Sequence, residues 1–280
     1  MNGPAAPTPD RPAPPSAPDA AAPPPALDVA VLAEAPGRSR LDRRRVAHPW
    51  SLGRGYPGAD GLLSVIPQVA AAGLLGGDGV LQRVEVGQGA GLRLVSAGAM
   101  VVHGGGGPAR SRWHWRLGPG ARAVQAAEAH VLLPGAALDL DTEIVIDPAA
   151  VFLGVEGVCR PGPDPAAWRA ETRVRRPDGT LLLVDRQDAD AEALDRLARL
   201  PGAPAAFATL LLLGPPETWG ALPAGPLDLP GAWGAAAPLR AGAGMAARLA
   251  APDGGALRRA TTALLTRTAA ALGLSASALS

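Results

Sequence analysis

The stretch SRWHWRLGPGARAVQAA (residues 111–127) contains one complete strand–turn–strand pattern. Between residues 112 and 117, two tryptophans and a leucine alternate with two arginines and a histidine. This alternation predicts a strand with one dry face and one wet face. Gly118 and Gly120 then mark a turn, and a second short run with strand character follows it.

The same pattern recurs along the chain about every 30 residues. Each turn is flanked by short runs rich in β-forming residues, which is typical of stacked strand–turn–strand units. We therefore expect a mostly β protein built as a layered, largely antiparallel stack, and both a β-solenoid and a sandwich fit the pattern. The four turns lie at Gly87–Gly89, Gly118–Gly120, Asp147–Ala149 and Pro177–Gly179.

Two α-helices are expected towards the C-terminus. The segment 188–202 begins at Asp188, which is a candidate N-cap, and stops before a proline. The segment 253–272 begins at Asp253 and has apolar residues at helical spacing. Between them, AAFATLLLL (205–213) reads as a buried strand, and 214–244 as a loop that is a candidate binding surface.

Composition sets the domain boundaries and excludes several classes of partner. Residues 1–42 begin with a Pro/Ala-rich run that has almost nothing to bury, so we expect a disordered tail followed by a single β-rich domain over 43–280. A net charge of +1 gives no electrostatic footprint for nucleic acid or an anionic membrane. One cysteine and no secretory pattern at the N-terminus favour a cytoplasmic protein.

The glycine-rich stretch GLLGGDGV (73–80) invites comparison with a phosphate-binding loop. It lacks the Lys and Ser/Thr that such a loop requires, and no helical pattern follows it. We interpret Gly73, Gly76 and Gly77 as a structural corner between strands, with Asp78 as a candidate cap of the turn. No arrangement of nucleophile and base appears in the sequence, so we expect a protein that is not an enzyme.

Few residues suggest metal binding. The four histidines have no close metal-ligand spacing, although His103 and His130 could converge across layers; ordinary strand-face histidines are the alternative. Cys159 is expected to be a buried, inert thiol. Glu156 is different, because it stands alone in the apolar run VFLGVEGVC (151–159) and must either pair with an arginine or line a wet internal passage.

Taken with its surroundings, the glycine stretch resembles the signature of the UreD (UreH) family of urease accessory proteins. The family's GGL(V/L)GGD, its following turn and its TTQAATKVYR segment correspond here to AGLLGGD (72–78), VEVGQGAGL (84–92) and LVSAGAMVVH (94–103). With later similarities at 130–162 and 245–270, the resemblance covers roughly 43–272. Residues 96–100 and His103 depart from the family pattern, as does the region 133–142, which lacks an aromatic residue; these departures mark a divergent member.

The resemblance implies a non-catalytic scaffold with a layered β-fold and two helices. Members of the family bind apo-urease and the accessory proteins UreF and UreG, and they are thought to pass nickel through an internal channel. On this basis Asp78 and Glu156 match family carboxylates and become candidates for lining the route, with His103 and Cys159 as additions. No tightly bound cofactor is expected, and nickel is at most in transit.

A second class of function fits the repeat alone. A β-solenoid that binds or processes a polysaccharide would also show stacked strand–turn–strand units. Such proteins present acidic and aromatic side chains along an exposed face, whereas aromatic residues make up only 3% of this chain.

Overall fold

A computed structural model describes residues 24–274. Strands dominate it, so the expectation of a mostly β fold is confirmed. The strands are β1 (Leu27–Ala35), β2 (Arg38–Val46), β3 (Trp50–Leu52), β4 (Tyr56–Pro57), β5 (Leu63–Val65), β6 (Pro67–Val69), β7 (Gly79–Val86), β8 (Gly91–Val95), β9 (Val101–Val102), β10 (Ala109–Leu117), β11 (Arg122–Ala126), β12 (His130–Leu132), β13 (Ala137–Ile146), β14 (Val151–Cys159), β15 (Ala167–Arg175), β16 (Leu181–Ala189), β17 (Ala206–Leu213), β18 (Gly225–Pro226), β19 (Trp233–Pro238) and β20 (Gly244–Ala251). The helices are α1 (Ala191–Leu197) and α2 (Gly254–Ala271), with short 3-10 turns at Pro216–Ala221 and Arg240–Gly242.

The central strands form two facing sheets that are stacked as a parallel solenoid. One sheet runs β16-β15-β13-β10-β7-β1-β2, and the other runs β18-β19-β20-β17-β14-β11-β8-β5-β4. Within the first sheet Arg83, His114 and Glu143 lie side by side in parallel register. The expected stack is therefore confirmed as solenoid-like, but the expectation of largely antiparallel pairing is wrong for these strands. A repeat of constant length places each strand beside its own equivalent in the next unit, and equivalent strands run in the same direction.

The predicted turns join the two sheets and lie one on top of another. The N–H of Gly118 donates to Val86 O over 2.9 Å, and the N–H of Asp147 donates to Leu117 O over 3.1 Å. On the far side of each turn the N–H of Val151 donates to Ala121 O over 2.9 Å. The fourth turn differs because it joins β15 to β16 as an antiparallel hairpin within one sheet, which ends the parallel stack.

The folded region begins earlier than the sequence predicts. Residues 27–42, which were expected to belong to the disordered tail, form β1 and most of β2. β1 pairs in parallel with β7, and Val29 and Val31 are fully buried in the core between the sheets. This pairing joins segments about 50 residues apart, so no local pattern reveals it. Residues 1–23, the rest of the predicted tail, lie outside the described residues.

Apolar cores lie on both faces of the larger sheet. Trp115 and Phe152 pack edge to face, 5.2 Å apart, in the core between the two sheets. On the other face of the larger sheet, Leu257 and Leu264 of α2 pack against β17 and β20. The strand predicted at 205–213 is confirmed as β17.

Both predicted helices are present. The predicted cap Asp253 is confirmed, and its carboxylate accepts the N–H of Ala256 over 2.7 Å. The cap of α1 is Asp190 rather than Asp188, because β16 continues to residue 189. Segment 214–244, read as a loop, contains β18 and β19, which pair with each other at one edge of the larger sheet. Over residues 24–274, neither helix combines the length and apolar character needed to cross a membrane.

Candidate functional site

The glycine stretch forms one of a second series of corners in the solenoid. A Cβ atom on Gly76 would lie 1.2 Å from the carbonyl oxygen of Gly105, and one on Gly106 would lie 2.7 Å from Gly76 O. Gly73 and Gly77 adopt φ values of +144° and +90°, which side chains rarely tolerate. The stretch therefore makes a close-packed contact between backbones.

Asp78 and His103 lie at this corner. The Asp78 carboxylate accepts the N–H of Leu75 over 2.8 Å, and its side chain is exposed. His103 Nε2 lies 3.4 Å from the carbonyl oxygen of Ala72. Neither residue lines the large cavity described next. The geometry of Asp78 is that of a side chain capping its own turn.

A cavity of about 390 Å³ lies beside this corner, at one end of the space between the sheets. Its walls combine the small two-stranded sheet of β3 and β6, the irregular segments around residues 71–73 and 96–101, and the inward faces of the central strands. The polar side chains that line it are Gln68, Gln82, Ser96, Ser111, Gln125, Glu128, His130 and Glu156.

Two buried acceptors on this wall lack a protein partner. Gln82 Nε2 lies 3.5 Å from Ser111 Oγ, but Gln82 Oε1 has no hydrogen-bond partner among the described residues. The same holds for His130 Nδ1. Burial lowers the pKa of His130 to about 4, although a hydrogen bond to the Gly157 backbone opposes this shift. The imidazole is thus neutral at pH 7, and its Nδ1 atom is free of hydrogen bonds to the described residues.

Glu156 lies where this cavity meets the centre of the solenoid. It projects from β14 and accepts a hydrogen bond from Thr142 Oγ1 over 2.8 Å. Burial raises the pKa of Glu156, the charges of Asp185 and Asp141 raise it further, and the hydrogen bond from Thr142 opposes the shift. No arginine forms an ion pair with Glu156 within residues 24–274. Glu156 therefore lines an internal cavity, with a hydroxyl as its hydrogen-bond partner.

From the sequence, His130 was expected either to converge with His103 or to be an ordinary strand-face histidine, and Gln82 was not singled out; His130 lines the cavity and His103 does not. Both residues reach the cavity of Glu156 through the fold: β7 pairs with β10 in one sheet, and β12 pairs with β14 in the facing sheet. His130 stands between two apolar residues in AEAHVLL (127–133), which is a local signal of burial, whereas Gln82 is followed by Arg83 and has no such signal.

Cys159 is buried on the opposite side of β14. It belongs to the core beneath α2, and a Cβ atom on Gly254 would lie 3.0 Å from its sulfur. Burial raises the pKa of the thiol, in keeping with an inert group. Within the described part of the chain, no three His, Cys, Asp or Glu side chains come together in a way that could hold a metal ion.

The acidic residues of β13 form a surface row. Asp139, Asp141 and Glu143 face outwards and lie 3.6–3.7 Å from arginines of β10 and β15. The Glu143 side chain is 41% exposed. The three carboxylates alternate along β13 and therefore share one solvent-facing side of the sheet.

Segment 96–100 also lines the cavity, together with Val101. This is the segment in which the chain departs from the glutamine-, threonine- and lysine-containing motif that it otherwise resembles. The wall contributed by 96–100 carries only one polar side chain, that of Ser96.

Comparisons with known proteins agree on one family. The family described as "UreD urease accessory protein" matches residues 26–279. The protein named "Urease accessory protein UreD 3" from Bradyrhizobium sp. is 36% identical over 256 residues, covering 87% of this chain and 90% of that protein. "Urease accessory protein UreD 1" from Methylorubrum populi is 31% identical over 89% of each chain. "Urease accessory protein UreD" from Mycolicibacterium smegmatis is 32% identical over 81% of this chain and 84% of that protein.

Proposed function

The chain belongs to the UreD family of urease accessory proteins, and on that premise we propose that it is a non-catalytic scaffold for nickel insertion into apo-urease. In this proposal it acts in the cytoplasm, in a complex with UreF and UreG. The family's description as an accessory protein supports the first part, and the UreF and UreG partnership extends the family resemblance. Nickel is cargo in this scheme and not a resident cofactor.

We further propose that nickel passes through the 390 Å³ cavity, with Glu156 as the principal residue of the route. The observation that carries this proposal is a carboxylate held against the inner wall of a cavity without a compensating arginine. Carboxylate, imidazole and amide groups suit a borderline divalent cation such as Ni²⁺, and Glu156, His130 and Gln82 supply one of each. Asp78 and His103 enter the proposal only as residues at the neighbouring corner, because their polar atoms contact the corner's own backbone.

Co-expression tests the scaffold role. Urease and its other accessory proteins are produced with and without this chain under limiting nickel, and urease activity is measured. We expect activity to depend on the chain, and a tagged chain to co-purify with UreF and apo-urease. Full activity in its absence would contradict the proposal.

The variant E156Q tests the route separately from assembly. Glutamine keeps the size of the side chain and can still accept the Thr142 hydrogen bond, but it removes the charge. We expect E156Q to lower urease activation at limiting nickel while the chain still co-purifies with its partners. The matched control is E143Q, which removes a carboxylate from the exposed row on the neighbouring sheet. Equal activation by the two variants would rule out a route past Glu156.

A further inference from the structure

The two sheets part at one lateral edge, where β16 ends one sheet and faces β17 and β20 of the other. The Arg248 guanidinium spans this gap: Nη2 donates to the Asp185 carboxylate of β16, and Nη1 donates to the Thr209 hydroxyl of β17. Gln187 of β16 also donates to Thr209 Oγ1, over 3.2 Å. A polar latch therefore closes the edge between the sheets.

Behind this latch lies a void that leads to Glu156. The void has a volume of about 20 Å³, and its wall includes Glu156, Thr172, Asp185 and Thr209. Glu156 and Gln125 also line the 390 Å³ cavity, so these two side chains lie between the large cavity and the void behind the latch. A volume of this size holds about one water molecule.

The charges around the latch favour a cation. Asp185 and Glu156 face the void, and the charge of Asp185 raises the pKa of Glu156. The guanidinium of Arg248 is the positive charge that bridges Asp185 to Thr209. The Arg248 side chain is 46% exposed and that of Asp185 is 18% exposed, so solvent ions reach the outer side of the pair.

We propose that the Asp185–Arg248 pair is a gate over a second opening of the cavity, and that a divalent cation passes by replacing the guanidinium on Asp185. This inference rests on the proposed function, which supplies the cation. Asp185, Thr209 and Gln187 offer a carboxylate, a hydroxyl and an amide as oxygen ligands at the gate, and Glu156 takes or supplies the cation inside. The cavity then has two ends, and Arg248 controls one of them.

Access through the gate is measured with a cysteine behind it. Thr172→Cys, made with Cys159→Ser so that it is the only thiol, lines the void but not the large cavity. We expect R248M to speed modification of this thiol by a small cationic methanethiosulfonate about fivefold, because one half-exposed ion pair no longer holds the edge shut. The control is R169M, which breaks the exposed Arg169–Asp188 pair between β15 and β16 without touching the void.

Cation exchange is measured by calorimetric titration of the purified full chain with Ni²⁺. Removing a unit positive charge about 5 Å from a divalent cation, at an effective dielectric constant of about 50, should tighten Ni²⁺ binding about a hundredfold in R248M. D185N in the same background should abolish this gain. If R248M loses the native circular dichroism spectrum, R248K replaces it, with intermediate values expected because one ammonium cannot reproduce the two-armed contact.

The gate requires that R248M exceed the R169M control both in the rate of thiol modification and in the affinity for Ni²⁺. A value equal to the control in either measurement overturns the proposal. Neither readout requires urease. Normal urease activation by E156Q would therefore defeat the proposed nickel route while leaving the R248M measurements interpretable. Normal thiol modification in R248M would defeat the gate and leave the nickel route standing.

Discussion

The contact between the corners at Gly76 and Gly105 makes a quantitative prediction for Gly76→Ala. The added Cβ atom would lie 1.2 Å from the carbonyl oxygen of Gly105, and no flexible side chain is there to move aside. Reaching an acceptable carbon–oxygen separation of about 3.3 Å requires the corners to move apart by about 2 Å. Backbone hydrogen bonds of 2.8 Å tie the corner at both sides, from Leu74 to Val101 and from Arg110 to Asp78.

The expected loss in the free energy of unfolding follows from the hydrogen bonds and the packing that this movement disrupts. Losing two backbone hydrogen bonds costs about 2 kcal/mol, and overpacking adds about 1 kcal/mol or more. We therefore expect G76A to lower the free energy of unfolding by about 3 kcal/mol, or the melting temperature by about 6–12 °C for a domain of this size. The matched control is Gly79→Ala in the same stretch, where an added Cβ meets nothing within 4 Å.

The assay is urea unfolding of the full chain, followed by tryptophan fluorescence, with the slope m compared between variants. G79A should change the free energy of unfolding by less than about 1 kcal/mol. If G76A were as stable as G79A, the corners could not be packed as described. The structural interpretation of the glycine stretch would then be wrong.

Three further predictions concern titratable side chains. Asp78→Ala should destabilise the chain by about 1 kcal/mol through loss of the turn hydrogen bond, whereas D78N should not; equal unfolding midpoints would refute the capping role. The pKa of His130 is lowered to about 4 in the folded chain, so this histidine is protonated at a higher pH in the unfolded chain than in the folded chain. The free energy of unfolding therefore falls as pH drops from 6.5 towards 4. His130→Gln should flatten that fall, which reaches at most about 1.4 kcal/mol per pH unit, and an unchanged profile would count against a buried neutral imidazole. The pKa of Glu156 is raised in the folded chain. The contribution of this side chain to folding stability is therefore complete below the usual pKa of a glutamate and is lost at higher pH. E156Q should be more stable than the native chain at pH 7, and a less stable E156Q would refute this.

The turns and strand faces of the solenoid could be predicted from sequence because they depend on local chemistry. The alternation around Trp113 and Trp115 identifies the buried face of β10, and the recurring turns mark the repeat. The direction of pairing is not a local property, since hairpin and solenoid arrangements share the same strand–turn–strand pattern. β1 was missed for the same reason, because its parallel partner β7 lies about 50 residues further along the chain.

The residues of the candidate site also differ in whether local sequence or long-range strand pairing determines their positions. Glu156 could be predicted because a carboxylate in an apolar strand must find a polar surrounding, which the cavity and Thr142 provide. Asp78 was expected either to hold its corner or to line a metal route, and its hydrogen bond lies within the corner. His130 and Arg248 acquire their positions only through the stacking of distant strands, so their spacing in the sequence carries no signal.

The most direct test of the central claim is the nickel content of urease itself. Urease is purified from cells grown at limiting nickel that express the native chain, E156Q or E143Q, and nickel per active site is measured by atomic absorption. Nickel passage along Glu156 predicts low nickel occupancy with E156Q and normal occupancy with E143Q, with both variants still in complex with urease. Equal occupancy with E156Q and E143Q would contradict the claim.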